Sequence, residues 1–297
     1  WDHNPRTRVY ALDAAYGGDR PICGWGEFGT DSEGRTIFRV NPPLEIPLSV
    51  ETEPEDQIAL FVQKDCDAAV IPPERMFFDA GMRATMATSL SKLFGVEVNA
   101  VNFGGNPTKR PVSADEYVLD RDTGMRRLKR CDEHYNKFVT ELWFSVRLVV
   151  LAGQMRELPK EVAEEFYLRE WTKEKGDKYE IEPKEDMKLR TGFSPDLADW
   201  LAILIEGADG GAVAGGIQYA KKDAIVHLQA AAVEIERAAR RRGRTRGIPS
   251  HRAQGHIVDV HGIARVGRRR QRRGRAAGVA TGLTSDNQVA HASNEWP

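Results

Sequence analysis

Three aspartates stand where apolar runs that must be buried come to an end or open a helix: Asp13 in VYALDAAYGGD, Asp79 in RMFFDAG and Asp199 in GFSPDLADWLAIL. A short apolar run closed by Asp reads as a buried strand that delivers a carboxylate to the end of a sheet. Carboxylates gathered at the edge of a core lose hydration and repel one another, so a fold that assembles them needs a compensating cation. The pattern therefore asks for a fold that brings three distant segments together, and for a metal site where they meet. Taken singly, each residue also has a plainer reading: Asp13 ending a strand, Asp79 capping the next helix, Asp199 on a solvated helix face.

The segments between them define the fold class. Residues 8–13 read as a buried strand, residues 16–19 as a turn into a second strand at 22–28, and residues 36–40 as a third, which makes an antiparallel meander. After a proline-punctuated crossing at 41–47, residues 53–70 carry Ile58, Phe61, Val62 and Ala69 at helical spacing. A strand at 75–78 leads to a helix at 81–94 with Met82, Met86, Leu90 and Leu93 on one side, and then to a strand at 96–101. Strands alternating with helices after a meander predict an α/β domain with a mixed sheet flanked by helices. Further on, the pattern predicts helices at 133–152 and 160–171 and a short strand at 179–181. Ser194-Pro195 is a start signal for a helix running to about residue 206.

Composition fits one soluble core followed by a different kind of segment. Residues 207–297 hold 16 Lys+Arg against 7 Asp+Glu, a charge of +9; residues 1–206 hold 27 against 37, a charge of −10. Residues 1–206 are thus expected to form the folded domain. Residues 207–297, small and flexible at 207–216, able to form an alanine-rich helix at 217–240 and then Arg-rich, read as a disordered basic tail. No stretch approaches the ~20 apolar residues of a membrane span, and no signal sequence opens the chain. Cys23, Cys66 and Cys131 are odd in number and unspaced for zinc, so neither disulfide nor zinc site is expected. The chain begins at Trp1, inside an extended approach to a strand, as a piece of a longer polypeptide would.

With strand ends adjacent in one sheet and a helix packed against it, Asp13, Asp79 and Asp199 can converge on a pair of hard cations that prefer oxygen ligands. Two such ions clamp the attacking and leaving oxygens of a phosphodiester and activate water, which makes hydrolysis of a nucleic-acid backbone the implied reaction. Asp196, three residues before Asp199, shares its helical face and is either a further ligand or a first-turn charge favoured by the helix dipole. Asp19 has the same two readings, since its Gly-Gly-Asp turn is sufficiently explained by backbone geometry.

The stretches LDAAYGGD (12–19), FFDAG (77–81), VNFGG (101–105), YNKFVTELW (135–143) and, above all, IEPKEDMKLRTGFSPDLADWLAI (181–203) resemble the nuclease domain of the large terminase subunit of tailed bacteriophages, over roughly residues 8–206. The resemblance implies a ribonuclease H-like fold and a two-metal-ion endonuclease, using Mg²⁺ or Mn²⁺, that cuts concatemeric viral double-stranded DNA during packaging in the host cytoplasm. It places the catalytic acids on Asp13, Asp79 and Asp199. Lys184 and Arg190 fall in the segment before the last helix, where either phosphate contact or a solvated charged face would account for them; Asn136 and Lys137 match a helix start. The implied partners are double-stranded DNA, an upstream ATPase domain, a small terminase subunit and a portal.

Two features depart from that pattern. The chain has no GxxxxGK[ST] loop, so ATP hydrolysis is expected only of an upstream part. The Arg-rich segment, with 14 Arg and no Lys between Arg237 and Arg275, reads as an auxiliary DNA contact or a non-native extension such as a shifted reading frame gives. Gly24-x-Gly26-x-x-Gly29 has dinucleotide-loop spacing but no helix after it, and His251, His256 and His261 share no helical face, so they read as loop histidines. Another ribonuclease H-like nuclease of resolvase or transposase type, or a non-catalytic domain gripping DNA or the portal, are the rival readings.

Overall fold

In the computed structural model, residues 6–14, 19–81, 84–96, 98–113, 116–174, 176–212 and 255–256 are described. Strands β1 (Thr7–Asp13), β2 (Ile22–Thr30) and β3 (Thr36–Val40) form the meander, with Asp13 opposite Ile22 and Gly26 opposite Val40. A short β4 (Leu44–Glu45) pairs with the start of β2. Helix α1 (Pro54–Ala69) crosses over to β5 (Met76–Asp79), which lies parallel to β1, and helix α2 (Ala84–Phe94) leads to β6 (Asn99–Val101), parallel to β5.

The remaining elements are the hairpin β7 (Tyr117–Leu119) and β8 (Arg126–Leu128), helices α3 (Cys131–His134) and α4 (Phe138–Leu151), and β9 (Met155–Arg156). Helix α5 (Lys160–Leu168), the hairpin β10 (Glu170–Glu174) and β11 (Lys178–Ile181), and helices α6 (Lys184–Thr191) and α7 (Asp196–Ala212) complete the domain. The main sheet runs β6-β5-β1-β2-β3-β9. A three-stranded antiparallel meander, extended beside its first strand by two parallel strands and covered by helices, is a ribonuclease H-like mixed sheet.

β1 is the axis of the domain because its alternation feeds two cores. Val9 and Ala11 pack with α4 and α7 on one face, and Tyr10 and Leu12 with α1 and α2 on the other; all four are fully buried. A side chain of this kind contributes about 1.5–3 kcal/mol when withdrawn from water. A strand sandwiched on both faces reads as a continuous apolar run, which is why residues 8–13 stand out in the sequence.

Helix α7 lies very close to the sheet, and glycines make this possible. A Cβ on Gly24 would sit 3.1 Å from the Trp200 ring; one on Gly26 would sit 2.9 Å from the Arg39 carbonyl oxygen and 3.2 Å from Leu204. One on Gly207 would stand 2.5 Å from Val9 and 2.6 Å from Phe77. All three glycines of the 24, 26 and 29 series lie in strand β2, not in a nucleotide loop, and Gly24 and Gly26 make room for the helix. Gly207 likewise marks tight packing: the last helix continues through the expected end at residue 206 to Ala212, with Gly207 and Ala208 buried. Residues 213–254 and 257–297, including the alanine-rich and arginine-rich stretches, lie outside the described residues. Of His256 only the backbone is described, in a two-residue strand, Gly255–His256, against β10.

Other elements differ from their sequence reading for local reasons. The predicted helix at 133–152 is broken at 135–137, because Tyr135 bridges to Tyr179 and the Asn136 amide donates to the Tyr179 carbonyl at 2.9 Å. The predicted helix at 160–171 stops at Leu168; Trp171 instead pairs with Ile181 in the β10–β11 hairpin, turned through Gly176 and Asp177 at positive φ. The strand expected at 96–101 shortens to Asn99–Val101, and the β7–β8 hairpin was not signalled. Cys23, Cys66 and Cys131 are buried free thiols. No helix among the described residues is long and apolar enough to cross a membrane.

Candidate metal centre

Asp13 is the last residue of β1 and Asp79 the last of β5. The parallel register pairs Leu12 with Phe78, so the two aspartates stand side by side at the same sheet edge, on strands ~4.8 Å apart. Asp199 reaches that edge from the first turn of α7. The helix is pinned there by Trp200, whose indole N–H donates to the carbonyl of Ala11 at 3.2 Å, two residues before Asp13. The structure thus brings the three sequence-predicted acids to one place.

Their immediate partners differ. Asp13 is 4 % exposed and its Oδ2 is buried without a hydrogen-bond partner among the described residues. Asp79 accepts from the Gly81 amide at 2.9 Å, in a local turn that follows β5. Asp199 is clamped: its Oδ1 accepts from the Trp143 indole at 2.8 Å and from Arg169 at 3.2 Å, and its Oδ2 lies 3.5 Å from the Lys184 ammonium. Arg169 also lies over the Trp143 ring, 4.4 Å from its centroid. Asp196 opens α7 almost fully buried, with Oδ1 2.5 Å from the Ser194 hydroxyl and 3.1 Å from Lys184 Nζ.

The electrostatics report a site short of positive charge. Burial raises the Asp13 carboxyl well above the usual range; Asp199, Asp79 and Asp196 push the same way, and Lys184 opposes them. Asp79 is raised by burial and by Asp199, against the Gly81 hydrogen bond and Lys184. Burial alone would lower Lys184, yet Asp199, Asp13 and Asp196 outweigh it and hold the ammonium charged.

Lys184 is engaged by the carboxylates. Its Nζ sits among the carboxylates, 3.1 Å from Asp196, 3.5 Å from Asp199 and 3.8 Å from Asp19. Asp19, sufficiently explained from sequence by turn geometry, also pairs with Lys188 at 2.5 Å. Arg190 is held at the surface: its guanidinium donates to Glu182 at 2.6 and 2.8 Å and to the Leu168 carbonyl at 2.6 Å. Asn136 and Lys137 both bind Glu180 at the entrance to α4.

Among the described residues, no group of three or more His, Cys, Asp or Glu stands ready to hold an ion. A lysine ammonium lies 3.1 Å from Asp196 and 3.5 Å from Asp199. The donor set still fits a hard divalent cation. It is all oxygen, it is mutually repulsive, and it includes the buried Oδ2 of Asp13, which has no partner among the described residues. Such an ion would be held by Asp13, Asp79 and Asp199, with Asp196 adjoining, once the Lys184 side chain withdraws.

Sequence reasoning missed three residues that shape the site: Trp143, Arg169 and Glu165. A signal for the last two was present. Glu165 and Arg169 recur four apart along the Val162–Phe166 face of α5, where charge interrupts an apolar stripe and calls for a buried partner.

No family model matches the chain, and no curated protein matches it. Among solved structures, the chain is similar to the nuclease domain of the large terminase subunit gp2 of bacterial virus Sf6. A mutant form of that domain with manganese and β-thujaplicinol aligns at 16 % identity and TM-score 0.46, over 67 % of this chain and 87 % of that one. A mutant form with calcium aligns at 16 % and 0.44, over 67 % and 88 %. The domain solved without a named ligand aligns at 16 % and 0.44, over 67 % and 87 %.

Proposed function

We propose that this chain is a metal-dependent endonuclease acting on double-stranded DNA, the nuclease part of a terminase large subunit that cuts concatemeric viral DNA during packaging. One observation carries the reading: Asp13, Asp79 and Asp199 are brought to one sheet edge of a ribonuclease H-like fold, with a buried carboxylate oxygen among them that has no partner among the described residues. An unpaired buried acceptor is costly, and a bound cation would satisfy it.

The roles of the chain's own residues follow from their contacts. Asp13 and Asp79, on rigid strand ends, fix the floor of the site. Asp199 presents one oxygen and has the other held by Trp143 and Arg169, which limits its rotation. Lys184 offsets the carboxylates while no ion is bound, so the domain can fold before the metal arrives. Mg²⁺ or Mn²⁺ bound there, two ions in the full arrangement, would activate water and stabilise the departing 3′ oxygen. The upstream ATPase domain, small subunit and portal are proposed partners on the same reading, with the viral packaging machinery of the host cytoplasm as the setting.

The test is plasmid cleavage by the purified chain with Mn²⁺ and with chelator, wild type beside Asp13→Asn. Mn²⁺-dependent nicking that Asp13→Asn abolishes, with its circular dichroism unchanged, is the expected result. Cleavage that persists in Asp13→Asn contradicts the assignment. Metal-independent DNA binding without cleavage points instead to a docking domain.

A further inference from the structure

Helix α7 must place Asp199 beside two strand ends, and the residues just before it do not cap its first amides: Pro195 precedes it, and the Ser194 hydroxyl donates to Asp196 Oδ1. The first amides of a helix lack intrahelical partners and need acceptors from elsewhere. One acceptor comes from a different helix. Glu165, on α5 and 8 % exposed, accepts from the Ala198 amide through Oε2 at 2.9 Å, in a contact buried from solvent. Its Oε1 lies 3.7 Å from the Arg20 guanidinium, whose Nε is 3.8 Å from Asp196 Oδ2; the Arg20 amide is 3.4 Å from the same oxygen. Ala198 is the residue before Asp199.

We infer that Glu165 is a positioning residue: by accepting the Ala198 amide it caps α7 from the side and, with Arg20, sets where Asp199 and Asp196 stand relative to Asp13. This rests on the nuclease reading above for its effect on cleavage, but not for its effect on the helix. Glu165 touches neither substrate nor the three acids, so it acts through the backbone. Its burial among like charges supports a held role. Burial pushes its carboxyl up to about 8, against the Ala198 hydrogen bond, with Asp196 adding to the rise, Arg20 opposing it and Asp199 adding less. A carboxylate kept at such an unfavourable place has a local task, and the Ala198 amide is its buried contact. The protonated and ionised forms both offer an oxygen to that amide, as does the side chain of glutamine.

The experiment compares Glu165→Gln, which keeps the acceptor, with Glu165→Leu, which removes it, in the full 297-residue chain. Two readouts are taken: hydrogen exchange of the Ala198 and Asp199 amides in metal-free protein, and kcat and KM for Mn²⁺-dependent plasmid cleavage. Glu165→Gln is expected to keep protection of both amides and kcat within about threefold of wild type. Glu165→Leu should lose at least tenfold in protection and on the order of 10²-fold in kcat with KM little changed, since misplacing a catalytic group by ~1 Å costs that much. If Glu165→Leu does not fold, Glu165→Asp, one methylene too short for the amide, replaces it. Unchanged exchange in the acceptor-less variant overturns the inference, and so does a Glu165→Gln variant as impaired as Glu165→Leu. If wild type itself does not cleave, the nuclease reading fails, and the exchange data alone decide the positioning claim.

Discussion

Replacing Lys184 by methionine removes a charge while keeping most of the stem, and it isolates what the ammonium does. Its Nζ lies 3.1 Å from Asp196 and 3.5 Å from Asp199, with the side chain 27 % exposed. Breaking a buried ion pair by removing one partner costs about 3–5 kcal/mol. Partial exposure lets water screen the remaining carboxylates, which brings the expected loss to about 2–3 kcal/mol. At 2–4 °C per kcal/mol for a domain of this size, the melting point in chelator should fall by about 5–10 °C. Divalent cations act in the opposite sense. An ion at 100 times its Kd stabilises by about 2.7 kcal/mol. In wild type it must first displace the ammonium, whereas in Lys184→Met the carboxylates are already waiting. Differential scanning fluorimetry with and without Mn²⁺ should therefore give a larger Mn²⁺-induced rise in the variant than in wild type. Equal rises in the two proteins, or a variant that melts with wild type in chelator, would refute the idea that Lys184 stands where a cation belongs.

Gly207→Ala places a methyl 2.5 Å from Val9 and 2.6 Å from Phe77, so urea unfolding should show a loss of about 1–3 kcal/mol; no loss would mean that α7 does not lie this close to β1. Trp143→Phe deletes the 2.8 Å donor to Asp199 Oδ1 and should cost about 1–3 kcal/mol in chelator, read from the urea midpoint, while a neutral result would show that Arg169 alone holds the carboxylate. Glu165 sets a pH dependence: its folded pKa, pushed up to about 8 chiefly by burial, lies above the ordinary 4.5, so between those values the folded chain keeps a proton that the unfolded chain has released. Its contribution is favourable below pH ~4.5 and is lost as pH rises toward 8, by up to about 1.4 kcal/mol per unit. Denaturation midpoints in chelator should thus fall from pH 5 to pH 8, and Glu165→Gln should flatten the slope; a parallel slope in the variant contradicts the assignment.

The central sheet was legible because its information is local. Residues 8–13 are apolar throughout since β1 is covered on both faces, and the turns between β1, β2 and β3 are marked by Gly and Asp. The three aspartates were legible for the same reason, each ending or opening an element. What could not be read was decided by contacts far apart in sequence. The break at Tyr135 exists because of Tyr179, and Trp171 is in a strand because of Ile181. Gly207 reads as the start of a flexible segment, whereas a Cβ there would stand 2.5 Å from Val9, so α7 is packed tightly on β1 at this position. Lys184 lies in a solvent-like KEDMKLR run, so its inward course depends on carboxylates from two other elements. Glu165 and Arg169 carried a faint signal, charge on an apolar helix face, but their targets on α7 are 30 or more residues away.

The most direct test of the central claim is a crystal of the chain soaked in Mn²⁺ and measured for anomalous scattering. The account predicts a peak between Asp13, Asp79 and Asp199, with Lys184 Nζ displaced from its place beside Asp196. No anomalous density there, with the ammonium still 3.1 Å from Asp196 at millimolar Mn²⁺, would show that the carboxylates are a structural cluster neutralised by lysine and not a metal centre.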